Sequence, residues 1–262
     1  MIRAAALLTA VVLTLPAAAQ EAPRPPERPA DPADTAPVES GAVETAPAAD
    51  ATADAAPQPF GPPAPPVWFT LRESDARHDA CRLALTVLGA GFRPVPPVTD
   101  PDNRDCGIAR PLQVTRILPG IPLSGEPVLR CDTALSLALW TRDFLIPAAA
   151  TLPDAPRLTG LETGPGYSCR ERVGTGDADP KPSEHGYGNA IDVMGFRLDD
   201  GDPVPVQPRQ GDGDPAESFQ RAAQGTACLM FTTVLGPGSN AAHDDHLHLD
   251  IAARNGGWRL CE

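Results

Sequence analysis

The sequence has little positive charge and, beyond residues 1–19, no apolar run long enough to cross a bilayer. It has 21 basic against 34 acidic side chains, which argues against nucleic acid and anionic lipid as partners, because both require clustered positive charge. It has no Cys-x-x-Cys pair, and no serine stands in the Gly-x-Ser-x-Gly setting of a nucleophile elbow. A serine hydrolase is therefore disfavoured.

The N-terminal residues predict a secretory signal peptide. Basic Arg3 is followed by an apolar run from Ala4 to Leu15 and by small residues up to Ala19, after which we expect cleavage. No lipobox-type cysteine lies near this point. We therefore expect residues 1–19 to be the signal and the mature protein to be periplasmic or secreted, without membrane insertion.

The next segment, residues 20–66, is dominated by Ala, Pro, Asp, Glu and Thr. Such a composition buries too little apolar surface to offset the entropy of ordering, so it predicts a disordered tether. The remaining residues, 67–262, have the length of one ordinary domain with a proper core. We expect this domain to be a monomer.

The six cysteines predict three disulfides, because an even number in an exported chain is typical of an oxidising compartment. Six cysteines permit 15 pairings, and sequence does not choose among them. Order along the chain alone would pair Cys81 with Cys106, Cys131 with Cys169, and Cys228 with Cys261.

Periodicity predicts mixed helices and strands without regular alternation. Ser74 is an N-cap for a helix ending at Gly89, on which His78 has no metal-ligand neighbour and is expected to be exposed or hydrogen-bonded. A second helix begins near Asp132, carries Leu135, Leu139 and Ile146 and ends at Pro147, with Trp140 in the core. A third is capped at Asp214 and closed by Gly225.

Strands are predicted by alternation and by β-branched residues over 112–117, 157–167, 189–194 and 227–235, with 92–110 as a loop. This pattern indicates a single α+β domain built on a small antiparallel sheet with flanking helices.

Two short stretches hold four of the five histidines. The first runs Ser183-Glu-His185-Gly-Tyr-Gly-Asn-Ala-Ile-Asp192, and the second runs His243-Asp-Asp-His246-Leu-His248-Leu-Asp250. A zinc ion that keeps a reactive water needs about three protein ligands from neutral imidazole and carboxylate. His185, Asp192 and one histidine of the second stretch would supply that set.

The second stretch alternates polar and apolar residues. On a strand, residues two apart share a face, so His246, His248 and Asp250 would point one way while Leu247 and Leu249 point into the core. Two neighbouring imidazoles on one face suggest a shared ligand.

The spacing Ser-x-His-x-x-Gly-x-Ala-x-Asp, formed by Ser183, His185, Gly188, Ala190 and Asp192, resembles the first zinc motif of the D-alanyl-D-alanine metallopeptidases and murein endopeptidases. The second stretch resembles the closing motif of the penicillin-insensitive murein endopeptidases. The cysteine placement and the runs Ser-Glu-His-Gly-x-Gly-Asn-Ala-Ile-Asp and Leu-Gly-Pro-Gly resemble the bacterial extensin-like C-terminal domain family, from about Cys81 to Cys261.

The resemblance implies a hedgehog/D-Ala-D-Ala-peptidase-like fold and a zinc (Zn2+) metallopeptidase acting on stem or cross-link peptides of peptidoglycan, as a carboxypeptidase or an endopeptidase. It implies that His185, Asp192 and His248 are the zinc ligands and that His246 is the general base. Asp245 stays open as the base, because some carboxypeptidase relatives carry their carboxylate three residues before the final ligand.

The remaining polar residues have expected roles beside the metal. The resemblance implies that Arg170 steadies an oxyanion or a substrate carboxylate, and we expect His243 to be a substrate contact or to support the ligands. Ser183 would hydrogen-bond near the site. Two other interpretations stay open: a closed structural zinc site, and a zinc-containing cell-wall-binding module without catalysis.

Overall fold

The computed structural model describes residues 64–173, 181–199 and 202–262. The predicted signal peptide and the tether up to residue 63 lie outside the described residues, as do parts of the polar loops at 174–180 and 200–201. Within the described ranges, no helix is long and apolar enough to cross a bilayer.

The helices begin where the sequence places capping residues. The α-helices are α1 Val67–Thr70, α2 Asp75–Val87, α3 Cys131–Trp140, α4 Ile146–Ala149 and α5 Pro215–Met230. Ser74 accepts a hydrogen bond from the Arg77 amide, and Asp214 accepts one from the Glu217 amide. Each cap satisfies a backbone donor that the first helical turn leaves free, so both predicted starts are confirmed.

Two predicted helix ends were wrong. After α3 the chain passes through one π-helical turn, Thr141–Leu145, and Pro147 then lies in the first turn of α4, where a missing N–H costs nothing. Gly225 does not close α5, because Ala223 and Ala227 are buried on either side of it and outweigh the roughly 1 kcal/mol cost of a mid-helix glycine.

The face of α3 that packs inward also differs from the prediction. Ala134, Leu137 and Ala138 are fully buried, whereas Ile146 is exposed. Trp140 is in the core as predicted, and its ring meets Phe196 and Phe231 edge-on with centroids 6.3 Å away in both cases. Such pairs add about 0.5–1.5 kcal/mol beyond burial.

The strands confirm the α+β class and pair antiparallel with one parallel exception, but they form three sheets in the part of the chain that is described. The strands are β1 Gly91–Pro94, β2 Val98–Thr99, β3 Gly107–Ile108, β4 Leu112–Leu118, β5 Ile121–Pro122, β6 Val128–Leu129, β7 Leu158–Thr163, β8 Ala190–Leu198, β9 Val204–Pro205, β10 Thr233–Leu235, β11 Leu247–Asp250 and β12 Leu260–Cys261.

The largest sheet, in the order β12-β10-β11-β8-β7 with β9 beside β8, carries both histidine stretches. The predicted loop over 92–110 was wrong, because it contains β1, β2 and β3. These strands pair with distant or very short partners, β1 with β4 and β2 with β3, so no local alternation announces them.

The disulfides join Cys81 to Cys131, Cys106 to Cys169, and Cys228 to Cys261. The third pair agrees with chain order, and the other two correct it. Chain order failed because α2 packs against the start of α3, which brings Cys81 to Cys131 rather than to the loop that carries Cys106.

His78 corrects another expectation, since only 7% of it is exposed and its Nδ1 has no hydrogen-bond partner among the described residues. Burial lowers the pKa of His78; the charge of Glu73 opposes this effect, and those of Arg110 and Arg82 add to it. The unfolded chain therefore binds a proton at higher pH than the folded protein does. The contribution of neutral His78 to the free energy of unfolding is therefore fully present above the unfolded pKa of about 6.5. It is lost as the pH falls from there towards the lower pKa of the folded protein.

We expect the zinc-free parent to lose more free energy of unfolding than His78→Leu between about pH 7.5 and about pH 5, by at most about 1.4 kcal/mol per pH unit. Urea denaturation of both proteins at each pH measures their free energies of unfolding. Titratable groups that the two proteins share contribute equally to both and cancel in the difference. An equal or larger loss in His78→Leu would contradict the burial argument.

Candidate metal centre

The first histidine stretch forms a tight turn that delivers His185 to the edge of β8. Ser183 caps a 3-10 turn, Glu184–Tyr187, by accepting from the His185 amide at 3.5 Å. Gly188 ends the turn with φ 66, and a side chain there would collide with Ile108 Cδ1. Glycine is needed at 188 for both reasons, and its left-handed conformation lets β8 begin at once.

The His185 ring is buried and oriented by the backbone. Its Nδ1 lies 2.6 Å from the Gly166 carbonyl oxygen, which accepts only if Nδ1 carries the proton. This bond leaves Nε2 as a lone-pair atom. It points towards Asp192 Oδ1, 3.1 Å away.

The second stretch meets the first through strand register. His248 on β11 stands directly opposite Asp192 on β8, so both side chains lie on one face of the sheet. Leu247 and Leu249 are fully buried on the other face. His248 Nε2 lies 3.3 Å from Asp250 Oδ2, which leaves its Nδ1 facing Asp192.

Three atoms therefore converge on one point: His185 Nε2, Asp192 Oδ1 and His248 Nδ1, each 3.1 Å from the other two. They are the atoms that the three residues offer to a metal. The structure thus brings together the three predicted ligands, although residues 185 and 248 lie far apart in the chain.

The charges of this cluster suit a cation. Burial raises the pKa of Asp192, but the neighbouring His185 and His248 outweigh this effect and lower that pKa well below its usual value. Burial likewise lowers the pKa of His248, but the carboxylates of Asp192 and Asp250 outweigh it and raise the pKa to about 9. Without a metal, His248 therefore carries a proton that lies between the ligand atoms of the cluster. A metal cation must displace this proton in order to bind.

The donor set fits zinc. Ligand atoms around a tetrahedral zinc ion with bonds of about 2.0–2.1 Å lie about 3.3 Å apart, close to the spacing seen here. Two imidazoles and one carboxylate are ligands that zinc favours at sites with an open position. Each imidazole also donates its other N–H to an oxygen, from Gly166 or Asp250, as metal-binding histidines usually do.

His246 and Asp245 lie at the mouth of the cluster and contact each other. His246 Nε2 is 3.7 Å from Asp192 Oδ1, and its Nδ1 is 2.8 Å from Asp245 Oδ1. The Asp245 side chain is 90% exposed and points away from the ligand atoms, while His246 is largely covered. Asp245 therefore holds the His246 ring, and the ring faces the cluster.

His243 packs beside the imidazoles of His246 and His248. Its ring centroid lies 5.2 Å from that of His246 and 5.8 Å from that of His248. Its Nδ1 lies 2.8 Å from Asn240 Oδ1, which accepts a hydrogen bond from the Nδ1–H group. The other ring nitrogen, Nε2, is left free. Burial, and then the charges of His248 and His246, lower the pKa of His243 to about 4. It is neutral at neutral pH and offers an additional acceptor next to the cluster.

Arg170 and Ser183 lie on neighbouring backbone. The Ser183 amide donates to the Arg170 carbonyl oxygen at 2.8 Å, so the segment carrying Arg170 runs along the His185 turn. Arg170 is exposed, and its charge contributes to the low pKa of His243. Ser183 is buried and caps the turn rather than facing the ligand atoms.

The partners of the imidazoles carried weaker signals in the sequence. Asp250 shares the period-two face of His248, so alternation could have assigned it as the group that holds that ring. Gly166 acts through its carbonyl oxygen, and a backbone group leaves no signal in residue type. Asn240 caps a 3-10 turn, Ala241–His243, and this capping position is its only local signal.

A family model described as "Extensin-like protein C-terminus" matches residues 79–262. No curated protein and no solved structure matches the chain.

Proposed function

Because the chain belongs to the extensin-like protein C-terminus family, and because its motifs also resemble those of murein endopeptidases, we propose that it is a zinc-dependent peptidase acting on peptidoglycan peptides. The observation that carries the proposal is the convergence of His185 Nε2, Asp192 Oδ1 and His248 Nδ1, with His246 beside them. His246 Nε2 is a third imidazole group that faces that point without belonging to the set of three converging atoms, which suits a group that handles the proton of a bound water.

The residues divide the chemistry of peptide hydrolysis among them. His185, Asp192 and His248 would hold the zinc ion. When bound, zinc supplies the Lewis acidity that activates water and polarises a carbonyl. His246 Nε2 takes a proton from the attacking water as the carbon–oxygen bond forms and delivers it to the amine as the carbon–nitrogen bond breaks. Asp245 accepts from Nδ1 and keeps the ring in place.

One further residue, Arg170, bears on the substrate. Arg170 presents an exposed positive charge on the His243 side, suited to a substrate carboxylate or a developing oxyanion. The peptidoglycan substrate rests on the resemblance of the motifs. The disulfides agree with a protein that folds in an oxidising compartment, where peptidoglycan is reached after export.

A second candidate is a zinc-containing binding module without catalysis. The observation that favours it is the free Nε2 of neutral His243, whose ring centroid lies 5.8 Å from that of the proposed ligand His248. A fourth protein ligand would close the metal and remove the position for water.

Incubation of the purified protein with zinc and purified muropeptides separates the two functions. We expect new amine termini, detected by mass spectrometry and amine labelling, that disappear with a chelator and return when zinc is restored. Zinc content is measured in the same samples. Protein that is fully loaded with zinc but leaves muropeptides intact over a range of pH would contradict the peptidase and favour the binding module.

A further inference from the structure

Glu184 and Asn189 of the first histidine stretch are buried, yet their side chains bond to each other rather than to the metal cluster. They belong to one hydrogen-bonded chain. Glu73 Oε1 accepts from Arg130 Nε and Nη2, both at 2.7 Å; Arg130 Nη1 donates to Asn189 Oδ1 at 2.7 Å. Asn189 Nδ2 donates to Glu184 Oε2 at 2.8 Å, and Glu184 Oε1 accepts from Arg172 at 2.7 Å.

This chain is costly as a source of stability. The side chain of Glu73 is 3% exposed, that of Arg130 13% and that of Glu184 11%. Removing such charges from water costs about as much as their attraction returns, so a buried ion pair often contributes less to stability than apolar side chains of the same volume. Its benefit is then a defined geometry for the groups that it joins.

The geometry that it fixes is the His185 turn. Arg130 also donates its backbone N–H to the Gly188 carbonyl oxygen at 3.0 Å, and Thr133 Oγ1 donates to the same oxygen at 2.8 Å. The Asn189 carbonyl oxygen accepts from the Ile251 amide at 3.1 Å, directly after the end of β11. The turn is thus anchored to α3 on one side and to the His248 strand on the other.

We propose that Glu73, Arg130, Asn189 and Glu184 are positioning residues that set the His185 turn against the Asp192 and His248 strands. This inference rests on the metal centre proposed above. It adds to that centre a group of residues outside it that orient one of its ligands. Glu73 lies before residue 79, where the family match begins, so the working unit includes the start of α2 and the segment before it.

Arg130→Met tests the proposal, with Arg77→Met as the matched control, because the side chain of Arg77 is 69% exposed and forms an ion pair with Asp132 nearby. In zinc-free protein, the amides of Gly186, Gly188 and Asn189 should exchange with deuterium about tenfold faster in Arg130→Met. The dissociation constant for zinc should rise about 10- to 100-fold, as for other groups that orient metal ligands. Arg77→Met should change neither.

The double variant Glu73→Leu, Arg130→Met separates positioning from stability. Apolar replacement of both charges should restore the melting temperature, whereas the three amides should stay fast and zinc should stay weakly bound, because Asn189 still lacks its donor. Recovery of amide protection and zinc affinity together with the melting temperature would overturn the proposal, as would an unchanged Arg130→Met. Exchange is measured without zinc or substrate, so an inactive parent would count against the peptidase and not against this inference.

Discussion

Replacing His185 by alanine should abolish muropeptide cleavage and weaken zinc binding by well over the about 100-fold that loss of an outer-shell partner typically costs. The substitution removes Nε2, one of the three atoms that converge at 3.1 Å, and leaves a carboxylate and one imidazole. Two protein ligands do not define a zinc site with a single open position. Zinc content after dialysis and competition with a chromogenic chelator measure zinc binding, and the rate of appearance of new amine termini measures cleavage.

A matched control comes from the other buried histidine. His78→Ala removes an imidazole of similar burial that lies on α2, outside the cluster. It should leave the zinc dissociation constant unchanged. Retention of parental zinc affinity in His185→Ala would contradict the ligand assignment, even if activity were lost, and a loss of zinc in both variants would show that folding rather than coordination was measured.

Local signals in the sequence placed the members of this cluster on two short stretches, whereas the choice of His248 as the third ligand came from the family resemblance. Period-two alternation places Leu247 and Leu249 in the core and His248 and Asp250 on the other face, and the burial of the leucines agrees. The caps at Ser74 and Asp214 are equally local, since each satisfies a backbone donor within the next three residues.

Features that depend on distant pairing were not predictable. The register that sets His248 opposite Asp192 joins two residues that lie 56 positions apart in the chain. The same holds for the Cys106–Cys169 disulfide and for the bond from Arg130 to Asn189, whose partners lie 63 and 59 residues apart in the chain. Loop closure over such lengths leaves no trace in local periodicity.

The choice between His246 and Asp245 as the base was open for a related reason. Alternation applies only inside a strand, and β11 begins at Leu247, so neither residue is governed by it. The structure places the two in contact, with His246 facing Asp192 and Asp245 facing solvent. Under the proposed function, the carboxylate would hold the imidazole and the imidazole would move the proton.

His246→Gln should accordingly lower kcat for muropeptide cleavage by about 10²- to 10⁴-fold, the usual contribution of a general base, while zinc content stays that of the parent. Glutamine retains a hydrogen-bonding side chain of similar reach but accepts no proton. Asp245→Asn should cost about tenfold or less, because its exposed side chain only orients the ring and amide oxygen still accepts from Nδ1.

Asp244→Asn is the matched control for this series, since it removes the same charge one residue away and should leave kcat unchanged. Single-turnover cleavage with excess enzyme isolates the chemical step from product release. If Asp245→Asn lowered kcat as much as His246→Gln or more, the carboxylate itself would be the base, and the 2.8 Å contact would have to open when substrate binds. If neither variant lost activity while zinc was retained, the proton would have to pass through His243, the remaining imidazole with a free Nε2 beside the cluster.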